Sequence, residues 1–161
     1  MTVRDLNALE ESQAQKVLRE CCGSARWTGE MIARRPFSDA ESMHAAAHDL
    51  WWSLAESDWL EAFACHPKIG ETKPVSDWSS QEQQGMAAAT IDTAGAIAAL
   101  NREYQQRFGH IFIVCATGKS AAEMRGLLEQ RLENDPKNEL RIAAAEQMKI
   151  THLRLDKLLQ A

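Results

Sequence analysis

Residues 79–109 read SSQEQQGMAAATIDTAGAIAALNREYQQRFG and predict one long, alanine-rich helix. Alanine has the highest intrinsic helix propensity, and the two glycines inside the stretch weaken that propensity locally while permitting close packing. Ser79 and Glu82 have the spacing of a capping box, which places the start of the helix at Ser79. Gly109 is a natural end for it. This stretch favours an all-α fold.

Helical patterns continue on the N-terminal side of this stretch. Apolar residues there recur at near-helical spacing, and glycine or proline interrupts them at intervals. The predicted elements are a helix over 6–22 that stops at Gly23, a short helix around Trp27 that ends at the Arg35–Pro36 boundary, a helix over 39–54 opened by a capping box of Ser38 and Glu41, and a short helix from Ser57 to Cys65.

The C-terminal side is helical as well, apart from the short apolar run IFIVCAT (111–117), which is the one β-like segment. Ser120 and Glu123 form a capping box for a helix that reaches about Asn134. Pro136 precedes a last helix to about Leu159. No repeat, linker or low-complexity segment interrupts the chain. We therefore predict a compact all-α bundle of seven to eight helices, with residues 1–161 forming a single domain.

The overall composition narrows the class of protein. The chain has 161 residues, enough for one domain with a sizeable core, and a net charge of −5 from 18 Lys+Arg and 23 Asp+Glu. That charge argues against nucleic acid as a partner, because phosphate binding depends on clustered Lys and Arg. No apolar run approaches the roughly 20 residues that span a bilayer, and the polar start MTVRDLNALEESQ is not a secretory signal. The four cysteines form no C-x-x-C pair. We expect a cytoplasmic protein with no membrane partner.

The long irregular stretch HPKIGETKPVSDW (66–78) contains the first candidate catalytic residue. Proline disfavours the α conformation in the residue before it, so His66 should lie at a helix end with its ring free to project outward. Loops of this length inside a compact domain are more often functional than not. Histidine suits acid/base chemistry because its unperturbed pKa is about 6.5.

A second candidate group follows at Ser79, Glu82 and Gln83, which fall on one face of the predicted long helix. A helix N-terminus offers unpaired N–H groups and a positive dipole to an anionic ligand. A capping box explains Ser79 and Glu82 without any ligand, and spacing alone favours that structural role. Both interpretations stay open at this point.

Two further motifs have simple structural explanations. The stretch TGKS (117–120) resembles part of a phosphate-binding loop, but Ile113 stands where such a loop needs its first glycine. A glycine turn followed by a capped helix is sufficient there. Arg154, within ITHLRLDKLL, lies off the apolar stripe of the last helix and by default is a solvated arginine.

His44 and His48 lie four residues apart on a predicted helix, a spacing that can present two imidazoles to one metal ion. The metalloprotease pattern H-E-x-x-H needs a glutamate where Ala45 stands, and no third ligand is evident. We therefore expect helix-face histidines and no metal. The five tryptophans are explained more simply by core packing or an oligomer interface than by a ligand cage; they are Trp27, Trp51, Trp52, Trp59 and Trp78.

Four motifs taken together resemble one family in their order and spacing: HPKIG (66–70), SSQEQ (79–83), FGHIFIVCATGKS (108–120) and HLRLDKLL (152–159). This is the OHCU decarboxylase family, whose members act on 2-oxo-4-hydroxy-4-carboxy-5-ureidoimidazoline. The likeness extends over nearly the whole chain. It implies an all-α, usually dimeric enzyme that needs no cofactor. Such an enzyme would perform the last step from urate to (S)-allantoin, with release of carbon dioxide.

The resemblance also implies roles for individual residues. His66 matches the family's catalytic histidine, and Glu82 matches a residue that binds substrate and assists catalysis. His110 departs from the pattern, because an apolar residue is expected at its position. The substrate-binding set carried over from the family comprises Pro67, Ser79, Glu82, Gln83, Ile111, Phe112, Ile113, Cys115 and Arg154.

The expected partners are a small-molecule ureidoimidazoline and a second copy of the chain, with the helix of Trp51 and Trp52 as a candidate dimer face. The alternative is a non-catalytic helical binding or adaptor domain that uses an exposed, tryptophan-rich face. The enzyme interpretation requires His66, Glu82 and Arg154 to converge on one cavity, whereas the alternative makes their grouping accidental.

Overall fold

A computed structural model of the chain describes residues 1–67 and 91–160. Eight helices lie in these two ranges and no strand does, which confirms the predicted all-α class. In chain order they are α1 (Val3–Ala8), α2 (Glu11–Cys21), α3 (Ala25–Ala33), α4 (Ala40–Ser53), α5 (Glu56–Ala64), α6 (Ile91–Phe108), α7 (Ala121–Leu132) and α8 (Pro136–Gln160).

The stretch predicted as one helix over 6–22 is two helices, so that prediction is wrong at the junction of α1 and α2. Leu9 adopts an extended conformation, with φ −63° and ψ 141°, and ends α1. The Arg35 guanidinium donates from Nη1 to the carbonyl oxygens of Leu6 and Leu9, both at 2.8 Å. These carbonyls lie at the end of a helix and need such partners. The break is therefore stabilised by a side chain 26 residues away from Leu9.

The cap of α4 is shifted by one residue from the predicted pair of Ser38 and Glu41. The Asp39 carboxylate accepts the Ser42 N–H at 2.7 Å, and the Ser42 hydroxyl accepts the Asp39 N–H at 3.2 Å. The Ser42 N–H holds the pKa of Asp39 below its usual value. An ionised carboxylate is a stronger acceptor than a hydroxyl. The Ser38 hydroxyl oxygen instead lies 3.1 Å both from the Asp39 carboxylate, which can only accept, and from the Ser42 hydroxyl.

The other helix boundaries lie near their predicted positions. Helix α5 begins at Glu56 rather than Ser57, because Asp58 accepts the Ala55 N–H at 3.2 Å. The capping box of Ser120 and Glu123 is confirmed at the start of α7. Helix α8 opens on Pro136, a first helical position where the missing N–H costs no hydrogen bond. Residues 79–90 of the predicted long helix lie outside the described residues.

The first compact unit consists of Met1–Ala62 together with Met148–Ala161. Helices α2, α3 and α4 pack in sequence around a core rich in large side chains. The Trp27 indole N–H donates to the Ala47 carbonyl at 3.0 Å, and that of Trp59 donates to Trp51 at 2.9 Å. Core packing is thus confirmed for these three tryptophans, whereas Trp52 is 36% exposed and Trp78 lies outside the described residues.

The second compact unit is Phe63–Gln147, in which α6 packs against α7. Residues 111–116 do not form a strand; they are an irregular segment in which Phe112, Val114 and Ala116 belong to the same buried cluster as Tyr104. Each of the two units has its own buried apolar residues. The single-domain organisation over residues 1–161 stays a prediction.

Candidate functional site

His66 lies just beyond the end of α5, as its proline neighbour predicts. The helix ends at Ala64, and the His66 N–H closes a turn onto the Phe63 carbonyl at 3.1 Å. Both His66 and Pro67 are half-buried. The His66 Nε2 lies 2.6 Å from Oε1 of Gln147, a residue of α8 that has no solvent exposure. A buried neutral amide therefore holds one nitrogen of the candidate catalytic ring.

The irregular segment 111–116 carries four of the predicted substrate-binding residues in the same compact unit. Phe112, Ile113 and Cys115 are buried and Ile111 is half-buried. The Cys115 N–H donates to Oε2 of Glu146 at 2.8 Å. Because Glu146 directly precedes Gln147, consecutive residues of α8 contact this segment and His66.

Side chains also bind the carbonyl oxygens of this segment. The Lys119 ammonium donates to the Cys115 carbonyl at 2.9 Å, and the His110 Nδ1 lies 3.0 Å from that of Ile111. Arg131 donates from Nη1 to the Ile113 carbonyl. Four backbone groups of this segment thus pair with side chains, where in a sheet they would pair with another strand.

Arg131 belongs to a buried ionic network that supports this segment. It forms an ion pair with the fully buried Glu139 at 2.6 Å, and its guanidinium lies 4.6 Å from the centre of the Phe112 ring. Tyr104 donates its hydroxyl to the same carboxylate. Burial, followed by this hydrogen bond to Glu139, raises the pKa of Tyr104. The phenol is consequently kept neutral, and the network supports the fold around Phe112.

His110 is buried among aromatic side chains, next to the rings of Phe63, Tyr104 and Phe108. Burial lowers its pKa, and the carbonyl of Ile111 opposes that effect. A neutral imidazole is therefore favoured there, which explains how a histidine occupies a position where an apolar residue is expected.

Arg154 lies in the first compact unit and is only 8% exposed, so its default interpretation as a solvated arginine is wrong. It donates from Nη1 to the Glu20 carbonyl at 3.2 Å. Its neighbour Cys21 is fully buried, and burial raises the pKa of that thiol to about 12, although Arg154 opposes the shift. No disulfide links the four cysteines, and Cys65, directly before His66, is the exposed member of the set.

Comparison with known proteins identifies the family. A family model described as OHCU decarboxylase matches residues 7–156. The chain belongs to the OHCU decarboxylase family. It is 42% identical over 146 residues to the uric acid degradation bifunctional protein TTL of Arabidopsis thaliana. The matched region covers 86% of this chain and 45% of that protein.

Two further similarities within the OHCU decarboxylase family extend over nearly the whole chain. The 2-oxo-4-hydroxy-4-carboxy-5-ureidoimidazoline decarboxylase of Amia calva is 28% identical over 172 residues, or 99% of this chain and 95% of that protein. A crystal structure of OHCU decarboxylase in the presence of (S)-allantoin superimposes with a TM-score of 0.82 at 37% identity, over 95% of this chain and 100% of the other. By contrast, the chain spans between 32% and 45% of the bifunctional relatives.

The predicted site residues of this family member fall into three groups: those in the second compact unit, Arg154 in the first, and those outside the described residues. His66, Pro67 and residues 111–115 belong to one compact unit, and Arg154 belongs to the other. Ser79, Glu82 and Gln83 lie outside the described residues, as do residues 68–78 of the irregular stretch. The predicted convergence of His66, Glu82 and Arg154 therefore stays a prediction.

Three residues of the site region are missing from the sequence-based predictions: Gln147, Glu146 and Arg131. Gln147 lies four residues from Ala143 and from Thr151, both fully buried, and is thus on the buried face of α8. A polar residue at such a position is costly unless it is hydrogen-bonded. That signal is present in the sequence, although the identity of the partner is not.

Of the motifs with structural explanations, TGKS forms a turn in which Gly118 has φ +77° and precedes the capped α7. His44 is half-buried and His48 is exposed, and both lie on one face of α4. Among the described side chains, no three His, Cys, Asp or Glu residues are arranged to hold a metal ion. Within residues 1–67 and 91–160, no helix combines the length and apolar character that a membrane crossing requires.

Proposed function

We propose that this chain is a carboxy-lyase that converts 2-oxo-4-hydroxy-4-carboxy-5-ureidoimidazoline to (S)-allantoin and carbon dioxide, the last step of urate oxidation. Membership of the OHCU decarboxylase family is the observation that carries the proposal. The adaptor alternative is not favoured, since it needs an exposed tryptophan-rich face and, in the described ranges, only Trp52 reaches 36% exposure.

The substrate supplies its own electron sink for this reaction. Its carboxylate is attached to a carbon that bears a hydroxyl group and neighbours a carbon–nitrogen double bond. When the carbon–carboxylate bond breaks, its electron pair moves into that double bond and carbon dioxide leaves. The hydroxyl then loses its proton to become a carbonyl, and the neighbouring ring carbon gains a proton on one face. The protein is required to position the substrate and to transfer protons, so we propose that no cofactor takes part.

His66 is the proposed acid/base residue, with Glu82 as its catalytic partner. An imidazole can both accept and release a proton near neutral pH, and the ring of His66 is oriented by a 2.6 Å contact with Gln147. A positioned acid/base group typically contributes about 10²–10⁴-fold in rate. That contribution is the part of the catalysis we assign to His66.

The remaining site residues are proposed to bind the substrate. Arg154 can offer a planar fork of N–H donors to a carbonyl or carboxylate. Gln83, Ser79 and Pro67 would contact the ureido and ring groups. The backbone of the 111–115 segment suits recognition of a ring, because the side chains of Glu146, Lys119 and Arg131 already hold it in place. No metal is assigned to this site.

The decisive experiment follows optical activity. Freshly prepared substrate decays spontaneously to racemic allantoin, which gives no circular dichroism signal, whereas the proposed enzyme produces an excess of the (S) enantiomer. The purified chain should therefore generate a growing signal in proportion to its concentration. His66→Asn serves as the matched control, because it removes the imidazole and keeps a polar side chain. Racemic product at every protein concentration would overturn the proposal.

We further propose that the chain works in the cytoplasm as a homodimer on a small-molecule ureidoimidazoline, with no nucleic-acid or membrane partner. The usual dimeric state of the family supports the assembly, and the partly exposed Trp52 on α4 supports this helix as the contact face. Light scattering of the protein as it leaves a size-exclusion column should give twice the 18.0 kDa mass of the chain. A Trp52→Glu variant should give the single-chain mass, and a dimer that survives this change would exclude the proposed face.

A further inference from the structure

We propose that Gln147 is a positioning residue that determines which nitrogen of His66 carries the proton and which nitrogen performs the chemistry. This inference rests on the proposed function, in which His66 is the acid/base residue. It adds a member to the site that neither the sequence motifs nor the family resemblance assigns.

The contact between these two residues is short and protected from solvent. The His66 Nε2 and the Gln147 Oε1 are 2.6 Å apart, and the two residues are separated by 81 positions in sequence. Gln147 has no solvent exposure, and its neighbours on the same face of α8, Ala143 and Ala144, are also fully buried. Burying an amide away from water costs free energy unless a protein group replaces the hydrogen bonds that water made. The contact with His66 supplies such a group.

The chemistry of the amide fixes the tautomer of the imidazole. A side-chain amide oxygen accepts hydrogen bonds and cannot donate them. The Nε2 of His66 must therefore carry a hydrogen, and in the neutral ring Nδ1 is then the basic nitrogen. We infer that Nδ1 is the atom that accepts a proton from the substrate and later releases it.

A neutral partner suits a residue that has to gain and lose a proton. When Nδ1 takes up a proton, Nε2 still carries its own hydrogen, so the bond to Gln147 is present in both protonation states. A carboxylate at the same position would attract the imidazolium and favour the protonated form. The amide orients the ring without adding that bias.

The adjacent residue of α8 supports the interpretation of this turn as a positioning element. Glu146 accepts the Cys115 N–H at 2.8 Å and so holds the irregular segment proposed to contact the substrate ring. Successive residues of one helix thus contact the acid/base residue and the binding segment within the same compact unit. Removal of the outer contacts of metal-bound histidines changes activity by about 10–100-fold, and we expect a loss of similar size for this histidine.

The first test reads the protonation of His66 by nuclear magnetic resonance on protein labelled with ¹⁵N in its histidines, with His66→Asn used to assign the signals. The wild-type protein should show a hydrogen on Nε2 of His66 that exchanges slowly with solvent, and an unprotonated Nδ1. Gln147→Met, which keeps the side-chain length and removes the acceptor, should abolish the slow exchange. A hydrogen on Nδ1 in the wild-type protein would overturn the proposal.

The second test measures turnover against pH. Gln147→Met should lower kcat by about 10–100-fold and change KM by less than about threefold, because the ring is misdirected while the substrate contacts remain. Gln147→Glu restores an acceptor and adds a charge. It should therefore recover activity, with the acid limb of its kcat/KM profile moved to higher pH. Gln130→Met, an exposed site on α7, is the matched control and should leave all of these quantities unchanged.

The outcomes separate this inference from the proposed function. Unchanged kcat in Gln147→Met, or an unmoved profile in Gln147→Glu, would overturn the positioning role even in an active decarboxylase. Absence of (S)-allantoin production with the expected Nε2 signal intact would overturn the proposed function alone. If Gln147→Met failed to fold, the wild-type spectrum and the Gln147→Glu profile would still decide the question.

Discussion

His44 and His66 are both half-buried histidines, but the partners of their ring nitrogens differ. The His44 Nδ1 lies 2.6 Å from Nδ1 of His152, and its Nε2 lies 2.8 Å from Oδ1 of Asp156. Both nitrogens of His44 therefore contact titratable groups of α8. The His66 Nε2 contacts a neutral amide instead, at 2.6 Å.

The partners decide what each ring can do with a proton. The carboxylate of Asp156 accepts a hydrogen from Nε2 of His44, so in the neutral pair Nδ1 of His44 accepts the hydrogen of His152. If both rings were protonated, two N–H groups would face each other, so the pair accommodates only one added proton. Burial, with smaller contributions from His44 and His48, lowers the pKa of His152. A second proton would thus break the bond between His44 and His152, whereas His66 can take a proton and keep its bond to Gln147.

The largest effect expected from this comparison is on turnover. His66→Asn should reduce (S)-allantoin production by about 10²–10⁴-fold, because the acid/base group is removed. The free energy of unfolding should fall by no more than about 1–3 kcal/mol, because the buried amide of Gln147 loses this partner while the fold is kept. Circular dichroism of the product and urea denaturation measure the two quantities. His44→Asn, the control, should stay active, and the reverse pattern would exchange the two roles.

Among these variants, replacement of the buried carboxylate of Glu139 should lower the free energy of unfolding the most. Glu139→Gln leaves Arg131 as an uncompensated buried charge and should cost about 3–5 kcal/mol in the free energy of unfolding. The matched control is Glu129→Gln, which breaks the exposed pair with Arg125 at 3.0 Å. That change should cost less than about 0.5 kcal/mol. Equal losses in the two variants would contradict the structural role given to the Glu139 network.

Replacing His44 should lower the free energy of unfolding by less than the change at Glu139, and it should leave turnover nearly unchanged. His44→Leu removes the acceptor of the His152 hydrogen and the donor to Asp156, and it should cost about 1–2 kcal/mol. Turnover should remain within about twofold of the wild type. His48→Leu at the exposed neighbouring position should lie within about 0.5 kcal/mol of the wild type. If the His44→Leu protein kept the full free energy of unfolding, the hydrogen bonds of His44 would contribute nothing to stability.

The smallest predicted effect is a pH dependence from the buried histidines. The pKa values of His152 and His110 are lowered, mainly by burial, so near these values the unfolded chain binds more protons than the folded one. Their contribution to stability is therefore complete above about pH 6.5 and is lost as the pH falls. Each tenfold weakening of a group's proton affinity on folding accounts for about 1.4 kcal/mol of that loss. His110→Phe should lose less stability than the wild type between pH 7.5 and 5.5, as urea denaturation at each pH would measure. A steeper loss of stability in that variant would show that His110 does not destabilise the folded protein as the pH falls.

The all-α class could be predicted because helix periodicity, caps and prolines are local properties. The boundaries that failed depend on contacts the pattern does not contain. Arg35 interrupts the first predicted helix by binding carbonyls at Leu6 and Leu9, and Asp39 outcompetes Ser38 as a cap. The run 111–117 has strand character in its composition, yet the N–H and the carbonyl of Cys115 pair with the side chains of Glu146 and Lys119 rather than with a neighbouring strand.

The candidate site could be predicted in part for the same reason. The His66–Pro67 dipeptide is a local stop signal, and it places the histidine correctly at a helix end. The partners of the site could not be predicted, because Gln147 is 81 residues from His66 and Glu146 is 31 residues from Cys115. Sequence patterns indicate that a polar residue lies on a buried helix face, but only the packing of distant helices decides which group it meets.

The uneven exposure of the four thiols gives this chain a built-in attachment point for a probe. Cys65 is exposed and directly precedes His66, whereas Cys21, Cys22 and Cys115 are buried. A maleimide dye added to the native protein should therefore react at Cys65 ahead of the other three. Its fluorescence would respond to molecules that bind beside the histidine, without any engineered cysteine and without any turnover.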